Sequence, residues 1–365
     1  AASAGGHEQV VKTLLNEGAE VNAQNGGFYG NALQAASARG HEQVVKTLLK
    51  KGAEINAQGG HHGNALQAAS ARGHEQVVKT LLNEGTEINA QGGHYGNALQ
   101  AASYGGYEQV VKMLLDKGAE VNAQGGFYGN ALQAASARGH EQVVKTLLNE
   151  GAEVNTQGGY YGNALQAASA GGHEQVVKTL LNEGAEVNAQ GGEYGNALQA
   201  ASAGGHEQVV KTLLNEGAEV NAQNGGFYGN ALQAASAGGY EQVVKTLLNE
   251  GAEVNAQGGP YCNALQAASA GGHEQVVKTL LNEGAEINAQ GGHYGNALQA
   301  ASYGGYEQVV KTLLNEGAEI NAQGGYYGNA LQAASAGGHK QVVEMLLDAG
   351  AHQAQEVDGY DTSDA

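Results

Sequence analysis

Histidine is the residue type with the most apparent capacity for chemistry in this chain, with 13 copies among 365 residues. A zinc site needs each ligand about 2 Å from one ion. His41, His74 and their equivalents recur 33 residues apart, and if packed helices carry them they stand about 10 Å from one another, too far to converge. His61 and His62 are neighbours, but on extended backbone they point opposite ways, and no Cys or Asp lies near them in sequence. The spacing argues against a metal, and the histidine after each Gly reads as a hydrogen-bonding group at the entrance to a helix. Ser37 and His41 also recur together, yet no Asp is placed to orient the imidazole and a repeating lattice offers no water-excluded pocket. The glycine segment ending in Tyr95-Gly96 lacks the GK[ST] ending and the GxGxxG spacing of phosphate loops, and it occurs too often to be one site. Catalysis, metals and cofactors are therefore not expected.

What remains is a set of residues suited to binding. Comparison of the copies within the chain divides each unit into positions that never change and positions that do. Val44, Val45, Leu48 and Leu49 keep their types in every copy, as packing against two neighbours demands. Variation gathers at a glycine-flanked tip: Phe28, His61, His94, Phe127, Tyr160, Glu193, Phe227, Pro260, His293 and Tyr326. The next residue is Tyr in every unit but one, where His62 stands, and this near-constant Tyr is expected to pack on its neighbours. Arg39, Arg72 and Arg138 occupy one variable position, Tyr104 and Tyr303 the one before it, and Tyr107, Tyr240 and Tyr306 replace the usual His. Tyr, Phe, His and Arg bring large contact area and adaptable polar ends to interfaces. The richest run, Phe28, Arg39, His61, His62, Arg72, His94, Tyr104, Tyr107, Phe127 and Arg138, lies in the N-terminal half, and a protein partner is expected there.

The elements that position these residues follow from the repeat itself. Asn31, Asn64, Asn97, Asn130, Asn163, Asn196, Asn230, Asn263, Asn296 and Asn329 mark its phase, with one 34-residue step among steps of 33. Such a period signals a solenoid, in which no unit buries its apolar face without a neighbour. Asn31 can cap a short helix A over Ala32–Ala38, with Leu33 and Ala36 on one face and Gly40 as the left-handed stop. Helix B runs from Glu42 to about Lys50, and Gly52 ends it. Its Val44, Val45, Leu48 and Leu49 form two adjacent stripes, so burial on both sides is expected. In the segment that follows, Ile55 and Ala57 alternate before a Gly pair, which predicts an extended arm leading into a hairpin-like finger.

Helix, helix and finger at this spacing resemble the ankyrin repeat. The resemblance rests on Leu33, Gly40, His41, Val44, Val45, Leu48, Leu49, Gly52, Ala53, Ile55 and Asn56 and on their counterparts through residue 351. It implies an all-α ankyrin-repeat solenoid of about eleven 33-residue units, helix-turn-helix plus β-hairpin finger, the first unit beginning inside helix A. It also implies that fingers and helix A line a concave face that holds partners. Two departures stand out. Asn31, Ala32, Leu33 and Gln34 replace the usual Thr-Pro-Leu-His, where Asn can still cap and Gln can still hydrogen-bond, and Gly59 replaces the usual finger Asp. The NALQAAS wording with near-identical copies is similar to the C-terminal arrays of fungal NACHT-type signal-transducing ATPases. That likeness implies a ligand-sensing array in a self/non-self receptor. A stand-alone scaffold is the runner-up, and a targeting domain for a catalytic part upstream of Ala1 is third.

The bulk properties agree with a binding array. The net charge of −19 is spread by the repeat, as in Glu42 and Glu54, which opposes binding to phosphate backbones, so nucleic acid is not an expected partner. Cys262 is the only cysteine and takes the place of a Gly, so a reducing compartment fits and no intrachain disulfide can form. No stretch is apolar enough to span a membrane, and a cytoplasmic monomer is expected. Residues 1–38 are identical to residues 200–237, the mark of a duplicated block of repeats and of a locus whose units are reshuffled. Lys340, Glu344 and Asp348 suit a capping unit, and residues 352–365, with Glu356, Asp358, Asp361 and Asp364, read as an acidic disordered tail after the repeat domain of residues 1–351.

Overall fold

The computed structural model describes residues 1–24, 27–223 and 226–352. Among these the chain forms 21 helices, ten short helices A alternating with eleven helices B. The one-residue insertions at Asn25 and Asn224 and the acidic tail lie outside the described residues. Contacts divide the chain into two units, Ala1–Ala201 with Gln208–Ala218, and Ser202–Glu207 with residues 219 onward.

In the first unit, helix A (Ala32–Ala38) begins with a reciprocal cap. Asn31 Oδ1 accepts from the Gln34 amide at 2.9 Å, and Gln34 Oε1 accepts from the Asn31 amide at 2.8 Å. Two of the four donors that a helix start leaves over are thereby satisfied without the family's proline. The same Gln34 reaches across the repeat boundary, its Nε2 donating to Ala57 O at 2.8 Å and Gly63 O at 2.6 Å. Gln67, Gln100, Gln133 and Gln166 do likewise in the next units. Each glutamine is thus both a helix cap and a bolt to the following finger.

Helix B (Glu42–Lys50) has no side-chain cap. Glu42 in its first turn favours the helix dipole and pairs with Lys46 at 2.6 Å. His41 Nε2 lies 3.0 Å from the Ala4 carbonyl, and His74 and His140 repeat this contact to Ala38 and Tyr104. The glycine-linked histidine is therefore a donor that ties helix B to the preceding helix A. Gly40, at φ +74°, makes the turn between the helices, and a Cβ there would lie 2.6 Å from the His74 ring.

Val44, Val45 and Leu48 are fully buried, but Leu49 is only partly covered. The buried stripe is narrower than the two-stripe expectation, because Leu49 sits at its rim. The arm also differs from expectation. Residues 55–56 form a turn, with the Ala57 amide donating to Glu54 O at 3.2 Å, and the finger is closed by a single antiparallel bridge between Gly59 and Gly63. Asn56 in that turn accepts from the Glu87 amide of the next unit at 2.9 Å, and a turn is what aims it there.

The second unit has the same construction, from Gln233 donating to Ala256 O and Cys262 O to Asn255 accepting from the Glu286 amide. Cys262 is the only non-glycine at positive φ among the described residues, at +72°. At the chain's first helix, Glu8–Asn16, Val10 and Leu14 are about half exposed.

Candidate partner-binding surface

The fingers of the first unit meet at their tips. The His61 amide donates to Phe28 O, His94 to His61 O, Phe127 to His94 O and Tyr160 to Phe127 O, all at 2.8 to 3.0 Å. Their rings stack in the same order, Phe28, His61, His94, Phe127 and Tyr160, with centroids 5.0 to 5.4 Å apart and planes within 24°. Each such pair contributes about 0.5–1.5 kcal/mol beyond its buried area. Glu193, though its amide continues the backbone ladder to Tyr160 O, brings no ring and ends the stack. The tip residues expected to bind a partner are therefore also packed on one another. A stack accepts any flat ring, which is why Phe, His and Tyr exchange there freely. One edge stays open: Phe28 is 51% exposed and Phe127 40%.

A second row stands beside the first. Tyr128 stacks on Tyr161 at 6.3 Å and Tyr161 on Tyr194 at 6.4 Å, as expected for the near-constant tyrosine. Tyr104, from the end of helix A, lies between Tyr95 and Tyr128 at 5.2 and 4.8 Å. Burial, then the Tyr104 hydroxyl hydrogen-bonded to it, holds the Tyr128 phenol well above its ordinary pKa. His61 and His62 do not point opposite ways. The tip is a turn rather than a strand, and the two rings meet edge to face at 5.2 Å. His62 is only 4% exposed, stacks on Tyr95, and neither ring nitrogen has a hydrogen-bond partner. Burial, aided by His61, Arg72 and His94, lowers its pKa to about 4.

The arginines lie along the ends of helix A. Arg39 Nε donates to Tyr29 Oη at 2.9 Å, and the Arg138 guanidinium lies 5.1 Å from the Tyr104 ring centre. Arg72 has no such ring: the position matching Tyr29 is the buried His62, which presents no hydroxyl. Tyr29, Ala38, Arg39, Arg72, His74 and Tyr107 line one groove of about 460 Å³ with no carboxylate among them. The ten residues singled out from sequence thus fall into three adjoining groups of one unit: the ring stack, the groove, and the Tyr104–Arg138 pair. Sequence reasoning missed Tyr29 and His74 as lining residues, since both looked like constant scaffold. Two other grooves, of about 520 and 510 Å³, lie between successive helices B and share one Glu, Lys, Asn and Gln lining. They repeat the lattice and distinguish no place along it.

No set of His, Cys, Asp or Glu among the described residues is placed to hold a metal. Ser37 is fully buried with no partner for its hydroxyl, so no Ser–His pair forms. Among the described residues no helix is long and apolar enough to cross a membrane.

A family model of ankyrin repeats, three copies long, matches in eight overlapping stretches from residues 1–92 to 264–357. The chain belongs to the ankyrin-repeat family. The ankyrin-repeat domain of human ASB11 is a similar solved structure, 25% identical, covering 61% of this chain and 99% of its own, with a TM-score of 0.54. No curated protein matches the chain. The ankyrin solenoid is in general a protein–protein interaction module and typically not a catalytic one.

Proposed function

We propose that this ankyrin array recognises a protein ligand along the fingers and helix-A ends of residues 28–140, the concave face of the family, as the sensing part of a fungal NACHT-type receptor. The observation that carries the reading is Arg72. It is exposed, it makes no hydrogen bond, ion pair or ring contact among the described residues, and it stands with Arg39 in a groove whose neighbours are aromatic. Scaffold residues are copied without change from unit to unit, while this group occurs once. An arginine that contributes nothing to its own fold, flanked by tyrosines, has the composition of an interface anchor.

The test uses the array as bait, with an Arg72→Ala/Tyr104→Ala variant in parallel. Loss of a captured protein by a variant that still unfolds cooperatively, its midpoint lowered only by the lost Tyr104 ring contacts, supports the reading, and equal capture by variant and parent refutes the assignment to this face. The receptor part has its own test in the coding sequence upstream of the codon for Ala1. A nucleotide-binding module with a GK[ST] loop supports it, and a start codon a few residues upstream overturns it in favour of a stand-alone scaffold.

A further inference from the structure

We propose that the groove and the Tyr104–Arg138 pair beside it take an acidic peptide segment in the extended polyproline II conformation, its carboxylates spaced by the repeat. Residues i and i+3 pair with Arg39 and Arg72, i+9 pairs with Arg138, and an apolar side chain at i+6 rests on Tyr104. This inference depends on the protein-recognition reading above and specifies the chemistry of the partner.

Charge is the first argument. The chain carries −19, yet its three arginines all stand at the ends of helices A, Arg39 and Arg72 in this groove and Arg138 on the adjoining Tyr104 ring. The lysine–glutamate pairs are elsewhere, within helices B, as in Glu108–Lys112 and Glu141–Lys145. Guanidiniums facing a groove without carboxylates in an otherwise acidic protein match a negative partner, and the planar fork of arginine suits carboxylate oxygens.

Local substitution is the second. The Tyr29 hydroxyl takes the Nε of Arg39 and holds its guanidinium in place, whereas His62 in the matching place leaves Arg72 free. His62 is itself buried with both ring nitrogens unpartnered. The next change is Tyr107, where most units have His. Its ring packs against Gly73 and lines the groove, so the carbonyl bond made by His74 and His140 is exchanged for a phenol at the binding surface. Three departures from the repeat within residues 62–107 all bear on one groove.

Spacing is the third. Equivalent points on neighbouring helices A are about 8–10 Å apart, and a peptide in the polyproline II conformation advances about 3.1 Å per residue with three residues per turn, so every third side chain faces the same way. Three peptide residues therefore match one repeat. Arg39 and Arg72 are one repeat apart and Arg138 two further on, and the intervening unit offers Tyr104 instead of a charge. A small anion could meet only one of these positions, while a peptide can meet them all.

The probe is a fluorescein-labelled 12-residue peptide with Glu at positions 1, 4 and 10, Leu at 7 and Ser or Ala elsewhere, read by anisotropy against the intact array. Its control has the same composition with the three Glu contiguous. The in-register peptide is expected to bind at least about tenfold more tightly than the control, and more weakly as salt rises. Arg72→Gln and Arg39→Gln should each weaken it about tenfold, Arg72→Lys less so, and Lys145→Gln on helix B not at all. Equal affinity for the two peptides, no binding, or affinity unchanged by the arginine substitutions overturns the proposal. A protein captured through Arg72 and Tyr104 that the peptide fails to displace refutes the acidic-segment chemistry and leaves the recognition surface standing. Failure of capture together with failure of the peptide refutes both.

Discussion

Lowering the pH should loosen the fingertips at one place, His62. Its pKa is lowered from 6.5 to about 4, first by burial and then by His61, Arg72 and His94 beside it. In the unfolded finger the ring takes up its proton near the ordinary value, so between about pH 6.5 and 4 the unfolded state binds more protons than the folded one. Stability from the neutral ring is complete above about pH 6.5, falls as pH drops through that window, and is gone below about 4. With one pKa unit worth 1.36 kcal/mol, integration gives a loss of about 2 kcal/mol between pH 7 and pH 5. His62→Tyr restores the residue of the other units and should abolish that part of the dependence, while the remaining histidines contribute equally to both proteins. Repeat arrays open locally, so the measurement is amide hydrogen exchange at the His61 and His94 rungs, with an NMR titration of His62 itself. Equal loss of protection in parent and variant, or a His62 titration near 6.5, would refute the reasoning.

Three further outcomes are expected. Gln133→Ala removes the side-chain acceptor of the Asn130 amide and the donations to Thr156 O and Gly162 O, while the residue 133 amide still donates to Asn130 Oδ1. With buried groups left unpaired it should cost about 2–4 kcal/mol, seen as a lower urea midpoint and faster exchange at the Asn130 amide; a change below about 1 kcal/mol would contradict the bolt described above. Cys262→Gly relieves a side chain held at φ +72° and should raise stability by about 1 kcal/mol, measured by thermal melting, with a lower midpoint as the contrary result. Gly40→Ala should destabilise by about 2–3 kcal/mol and Gly52→Ala by about 1. Both have positive φ, but a Cβ at Gly40 meets the His74 ring and one at Gly52 meets nothing; equal urea midpoints would contradict that distinction.

The helices were legible because their signals are local. Val44, Val45 and Leu48 fix the buried face of helix B, and Asn31 announces the start of helix A three residues before its partner Gln34. The role of Gln34 across the boundary was not legible, since its carbonyl acceptors lie 23 and 29 residues away and belong to backbone, which carries no residue signature. Leu49 lies shallower than its pattern implies, because the pattern gives a side chain's direction and not how far the neighbouring helix extends. The candidate residues were found by their departure from the copies, and the structure groups them. What the departures could not reveal is that Phe28, His61, His94 and Phe127 touch. Variation in residue type conceals constancy of shape when the contact is one flat ring on another. The freedom of Arg72 was equally hidden, because it depends on what His62 lacks.

The glutamine and asparagine bonds between units have an evolutionary consequence. Within each of the two units these bonds join the same donor to the same acceptor one period later, so the boundaries between the copies inside a unit are chemically interchangeable. Recombination can excise or insert a whole copy and the severed faces find identical partners at once, with no compensating mutation. The seams are indifferent to the order of the copies, and natural selection is therefore free to rearrange which rings and charges stand side by side while the lattice beneath them stays unchanged.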